Sequence, residues 1–213
     1  MKTGYLIAAA LIVTAAPASA QSAFDGVWKG DIASAQLPTK PFVRSLKGGI
    51  YSCECDTPLS VKADGQFHKV TGQAYIDEMM VKAADDRHLV TQSRRGGKLT
   101  YTSTEVISAD GMTNDWTSKD FSAPNGVVID AKGRDKRAGA LPPKGVHLIT
   151  GGWLATNDFS TTDAALYISF KSVPGGLSMS TRTGQSYTAM FGGPEVMMAG
   201  DPGKTMIKLR KIS

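Results

Sequence analysis

After residue 20 the chain nowhere sustains an apolar spacing of 3.6 residues. It carries short runs rich in Thr, Ser, Val, Ile and aromatics instead: VWKGDIA (27–33), YSCEC (51–55), FHKV (67–70), MMVKAA (79–84), HLVTQS (88–93), LTYTSTEVIS (99–108), TNDWTSKDF (113–121) and VVIDAKGRDKR (127–137). Five more follow, HLITGGWLA (147–155), ALYISFKS (165–172), LSMSTRT (177–183), SYTAMF (186–191) and TMIKLRKI (205–212). Between them stand Asp64-Gly65, Gly96-Gly97, Asp110-Gly111, Asn125-Gly126 and Pro174-Gly175, dipeptides that turn a chain back on itself. Such spacing predicts an all-β fold, an antiparallel meander closing into a barrel or sandwich. Helix is expected only in short connecting pieces such as 158–165.

The pattern occurs twice. Gly26-x-Trp28 in FDGVWKGDIA matches Gly151-x-Trp153 in ITGGWLATND at an offset of 125, and MVK at 80–82 matches MIK at 206–208 at an offset of 126. A glycine turn at Thr71-Gly72 likewise answers Ala199-Gly200. Two copies of one β unit explain these matches economically. The expected division is a leader at 1–20, a first β domain at 21–137, a linker at 138–147 (AGALPPKGVH, with two prolines and two glycines) and a partial second repeat at 148–213. After Lys82 the first copy continues for about 55 residues, but after Lys208 only five remain. An incomplete unit exposes sheet edges that pair with the first domain, with a second chain or envelope partner, or with nothing if the chain is a truncated form.

An indole at the start of the first strand of a barrel is large enough to plug one end, and a glycine two residues earlier permits a close approach. A basic residue on the last strand can then stack on the ring, contributing roughly 0.5–2 kcal/mol. Arg137, ending the last strand of the first copy, is the expected partner of Trp28, with no equivalent left for Trp153. At these residues the chain resembles the lipocalin-like (calycin) barrels. With FDGVWKGDIASAQLPTKP, IYSCECDTP, VKADGQFHKVTGQAY and TGQSYTA with GDPG, it is similar to uncharacterised secreted bacterial proteins built of two such units. The resemblance implies a lipocalin-like barrel followed by an incomplete second repeat, and implies no activity.

The N-terminus, MKTGYLIAAALIVTAAPASAQ, places one Lys before an apolar run and Ala18-Ser19-Ala20 before Gln21, the pattern of a secretory signal peptide. The run is shorter than the roughly 20 residues of a membrane span, and no cysteine follows the cleavage site. Periplasmic or secreted location is expected, with no transmembrane segment after cleavage. The chain after residue 20 carries 23 basic against 19 acidic residues, too mild an excess to select a partner. Nucleic acid is not expected outside the cytoplasm. Lys132, Arg134 and Lys136 alternate with other residues and share one strand face; a solvated outer face is their ordinary role, and lipid or lipopolysaccharide phosphates are the alternative.

Cys53 and Cys55 are the only cysteines. Residues i and i+2 of a regular strand stand roughly 6.5–7 Å apart, too far for a bridge unless the chain turns, which Asp56-Thr57-Pro58 makes plausible. An oxidising compartment favours closure, so a Cys53–Cys55 disulfide is the expectation, with two inert thiols, a metal site or a redox centre as the alternatives. Metal is disfavoured because His68, His88 and His147 show no ligand-like spacing, and thiol redox because no helix follows Cys55. Neither a Gly-x-Ser-x-Gly elbow nor a phosphate cradle is present, so no catalytic residue, metal or cofactor is assigned and no enzyme is expected. Nine methionines, Met79, Met80, Met179, Met190, Met197, Met198 and Met206 among them, suit cores or an adaptable apolar cavity. The function expected is non-enzymatic binding of a small apolar or amphipathic ligand. Trp28 would close the floor, and Tyr51, His68 and Tyr75 would supply polar contacts. The alternative is an envelope interaction protein or homodimer using exposed sheet edges.

Overall fold

A computed structural model describes residues 24–55 and 57–212; the expected leader lies outside the described residues, as does Asp56. The described chain is all-β and antiparallel. Its strands are β1 (Gly26–Lys29), β2 (Phe42–Lys47), β3 (Ile50–Cys53), β4 (Leu59–Lys62), β5 (Asp64–Lys69), β6 (Glu78–Ala83), β7 (His88–Arg95) and β8 (Lys98–Ile107). They continue with β9 (Thr113–Asp120), β10 (Ile129–Ala138), β11 (Gly151–Thr161), β12 (Tyr167–Val173), β13 (Gly176–Thr181), β14 (Ser186–Met190), β15 (Val196–Met197) and β16 (Met206–Ile207). The one helical piece among the described residues is a 3-10 turn at Asp163–Leu166.

Ten strands form one sheet in the order β4-β3-β2-β11-β10-β9-β8-β7-β6-β5, which curls into a nearly closed barrel. The meander follows from the turns. Gly96 and Gly97, with φ of 55° and 75°, occupy the β7–β8 hairpin, a conformation that L side chains resist. Strand alternation then fills the interior: Leu46, Tyr51, Cys53, Val61, Met79, Val81, Leu89, Ile107, Ile149 and Trp153 pack as one buried cluster. A smaller sheet, β1-β12-β13-β14, and the hairpin β15-β16 make up the second unit.

The two copies exchange their first strands. β11, which carries the second Gly-x-Trp, enters the barrel between β2 and β10, with Gly151 opposite Arg44 and Trp153 opposite Phe42. β1, which carries the first, leaves the barrel and pairs with β12, with Gly26 opposite Phe170 and Trp28 opposite Ile168. The partners Phe42 and Ile168 are 126 positions apart, so each first strand takes the same register on the other copy's second strand. Local geometry repeats as well. Gly26 and Gly151 have φ of 144° and 131°, and each indole Nε1–H donates to the carbonyl four residues back, Trp28 to Phe24 at 3.0 Å and Trp153 to Ile149 at 2.8 Å. The β15-β16 hairpin sets Met197 opposite Met206 much as β5-β6 sets Phe67 opposite Met80, and both turns hold a left-handed glycine, Gly72 and Gly200.

Residues 138–147 lead from β10 to β11 and touch the barrel on the way. Leu141 lies against Gly111, where an added Cβ would come within 2.5 Å of it, and His147 is buried.

Candidate functional site

Trp153 is the indole that plugs the barrel; it is fully buried, whereas Trp28 is 48% exposed on the small sheet. The expected pairing of Arg137 with Trp28 is corrected accordingly. Arg137 stacks on Trp153, its guanidinium carbon 4.3 Å from the ring centre, because β11 and not β1 lies beside β10. The same guanidinium donates to the carbonyls of Gly111 (2.6 Å), Thr150 (2.8 Å) and Leu148, tying the β8–β9 turn to the stretch that leads into β11. Burial and the nearby charge of Arg44 push its pKa down.

Above the indole the interior turns polar. Inward positions alternate along three strands, Arg44 on β2, Tyr101, Ser103 and Glu105 on β8, and Asn114 and Trp116 on β9, with Asp135 supplied by β10. Arg44 Nη1 donates to Glu105 Oε2 at 2.5 Å, and its Nη2 lies 3.8 Å from Asp135 Oδ2. Asn114 Nδ2 donates to Glu105 at 2.7 Å and to Asp135 at 3.3 Å, and Trp116 Nε1 donates weakly to Asp135 at 3.4 Å. Trp116 sits where it does because residue 133 is glycine, since a Cβ there would lie 2.6 Å from the indole. Burial holds the Asp135 carboxyl above the usual range despite the attraction of Arg44. The same burial raises the Tyr51 hydroxyl, again against Arg44. Arg44, Tyr101, Ser103, Glu105, Trp116, Asp135 and Phe42 line a recess of about 230 Å³. Among the described residues Arg44 Nε and Nη2 and Asn114 Oδ1 find no hydrogen-bond partner.

Tyr101 also lines a larger cleft of about 730 Å³ between the barrel and the second unit. The barrel contributes Tyr75, Ile76, Ser93, Thr100, Asp120 and Ser122; the second unit contributes Met179, Thr181, Gln185, Met198, Asp201, Pro202 and Thr205. The loop at Asp201 is fixed by its own carboxylate, which accepts from the N–H groups of Gly203 (3.1 Å) and Thr205 (2.8 Å). These Thr205 bonds lower the Asp201 pKa. Gly203 leaves room for the Tyr75 ring, which an added Cβ would approach to 2.9 Å.

The expected contact residues therefore part company. Tyr75 lines the cleft, and Tyr51 is buried beside Arg44 in the core. His68 is half-buried at the barrel edge opposite Met79, its Nε2 2.8 Å from Asp64 Oδ1, and Trp28 stands on the second unit's edge strand; neither lines the cleft or the recess. Cys53 and Cys55 are joined by a disulfide, with Cα atoms 5.2 Å apart, closer than on a regular strand. The contraction comes where β3 ends, at Glu54, whose N–H reaches back to Val43 O at 2.8 Å. The outward basic stripe is interleaved with acid: Arg134 pairs with Asp115 and Asp158, and Lys119 pairs with Asp130.

Arg44, Glu105, Asn114, Trp116 and Asp135 were not singled out by sequence reasoning. The available signal was parity: on β8 and β10 the polar residues Ser103, Glu105 and Asp135 occupy the same alternation as the core residues Ile107 and Arg137. Compared with family models, curated proteins and solved structures, the chain matches none.

Proposed function

We propose that this protein is a non-enzymatic, lipocalin-like binding protein of the periplasm or the secreted fraction, which takes a small amphipathic molecule at the mouth of its barrel. The carrying observation is the cleft of about 730 Å³, a volume within the roughly 300–1,000 Å³ of small-molecule sites. Its walls mix thioether and aromatic surface with hydroxyl, amide and carboxylate groups, as an amphipathic ligand requires. Both units contribute, so the second repeat has a role as the lid of the site. The Cys53–Cys55 bridge supports an oxidising compartment.

A direct test is titration with the fluorescent apolar probe N-phenyl-1-naphthylamine. The native chain should enhance its emission with saturable binding, and Met198→Trp, which fills the cleft, should weaken binding by about tenfold, on the order of 1.4 kcal/mol. No enhancement, or equal binding by the filled variant, defeats the proposal.

A second reading, self-association through a sheet edge, is favoured by β1. This strand ends the small sheet with all four residues exposed, Val27 at 63%, the geometry of a pairing edge. Light scattering showing only monomer at high concentration removes it.

A further inference from the structure

Resting on that reading, we infer that the ligand carries a neutral, hydroxyl-rich head, of glycoside or polyol chemistry, which enters the polar recess of the barrel while its apolar part stays in the cleft. Tyr101 lines both spaces, which sets the recess next to the cleft.

The head-group class follows from charge and hydrogen-bond arithmetic. Arg44 is 93% buried as a side chain (7% exposed), and its Nε and Nη2 lack partners. An anionic head could satisfy these donors, but Glu105 and Asp135 line the same recess and repel it. A cationic head would suit the carboxylates, yet it has nothing to offer Arg44 except like charge. The gap of 3.8 Å between Arg44 Nη2 and Asp135 Oδ2 is too long for a direct bond. A single hydroxyl oxygen that wedges in beside them would stand within about 3 Å of each, accepting from the guanidinium and donating to the carboxylate. A carboxylate cannot donate and an ammonium cannot accept; a hydroxyl does both. Trp116 and Phe42 supply ring surface for the C–H edges of a sugar or polyol chain. At about 230 Å³ the recess has room well beyond one water, whose share of liquid volume is about 30 Å³.

The experiment compares three probes with the same eight-carbon tail, each titrated calorimetrically into the full protein below its micelle-forming concentration: octyl β-glucoside, octanoate and octylammonium. The glucoside should bind at least about tenfold more tightly than either ion, the worth of one hydrogen bond to a charged group. Asp135→Asn should erase most of that preference, while circular dichroism verifies that the variant is folded. Binding of all three with octanoate or octylammonium equal to or ahead of the glucoside overturns the head-group inference and leaves the amphipathic site standing. Binding of none overturns both. A glucoside preference that Asp135→Asn does not change means the recess holds water only, and the inference is lost.

Discussion

Asp135 carries a cost that its neighbours only partly offset. Its carboxyl is buried and its pKa is raised, with desolvation as the first cause and the attraction of Arg44 and the Asn114 bond opposing it. A group whose folded pKa lies above its unfolded value stabilises the fold below the unfolded pKa, near 4, and loses that contribution as pH rises through the folded one. Asp135→Asn should therefore unfold at higher urea at pH 7 than the parent, by roughly 0.5–2 kcal/mol, and the difference should vanish below about pH 4. An unchanged or lower midpoint at pH 7 would contradict the assignment. Asp85 behaves oppositely: backbone N–H groups of Arg87 and His88 and the His88 ring hold its pKa down to about 2, so its contribution is present above about pH 4 and fades toward pH 2.

At the level of strands, β-rich runs and turn dipeptides were sufficient to predict most of the meander, because β-branched and aromatic residues fill β7 and β8 and Gly-Gly between them takes the left-handed turn. β2 escaped notice. Its inward set, Phe42, Arg44 and Leu46, interrupts the apolar alternation with a guanidinium, the residue on which the polar recess is built. The exchange of first strands escaped for another reason: β1 and β11 carry the same motif, so local pattern is indifferent to which copy each joins. Only the long-range pairing decides, and it puts Trp153 in the core and Trp28 on an edge. The two indoles then provide a comparison at constant sequence context. Trp153→Ala should cost about 3–5 kcal/mol in urea unfolding, and Trp28→Ala about 1 kcal/mol or less. Equal costs would contradict the exchange.

On the scale of the whole molecule, the parts depend on one another in a way the linear division at 137 and 148 conceals. The apolar core around Trp153 and the polar recess draw on the same strands, and Tyr101 joins the recess to the cleft shared with the second unit. The recess was invisible in the sequence because its members come from four strands and no two share a motif; Arg44 and Glu105 are 61 positions apart.

The placement of β11 also governs when the molecule can be completed. A growing chain that has emerged only as far as His147 holds every other stave of the barrel and a gap between β2 and β10. Until Trp153 arrives, that slot is an unfilled acceptor for any extended segment. A fragment ending at His147 should thus be protease-sensitive and aggregate readily, and a synthetic peptide spanning 148–162, added in trans, should rescue it. Completion of the barrel hinges on a strand delivered late in the chain.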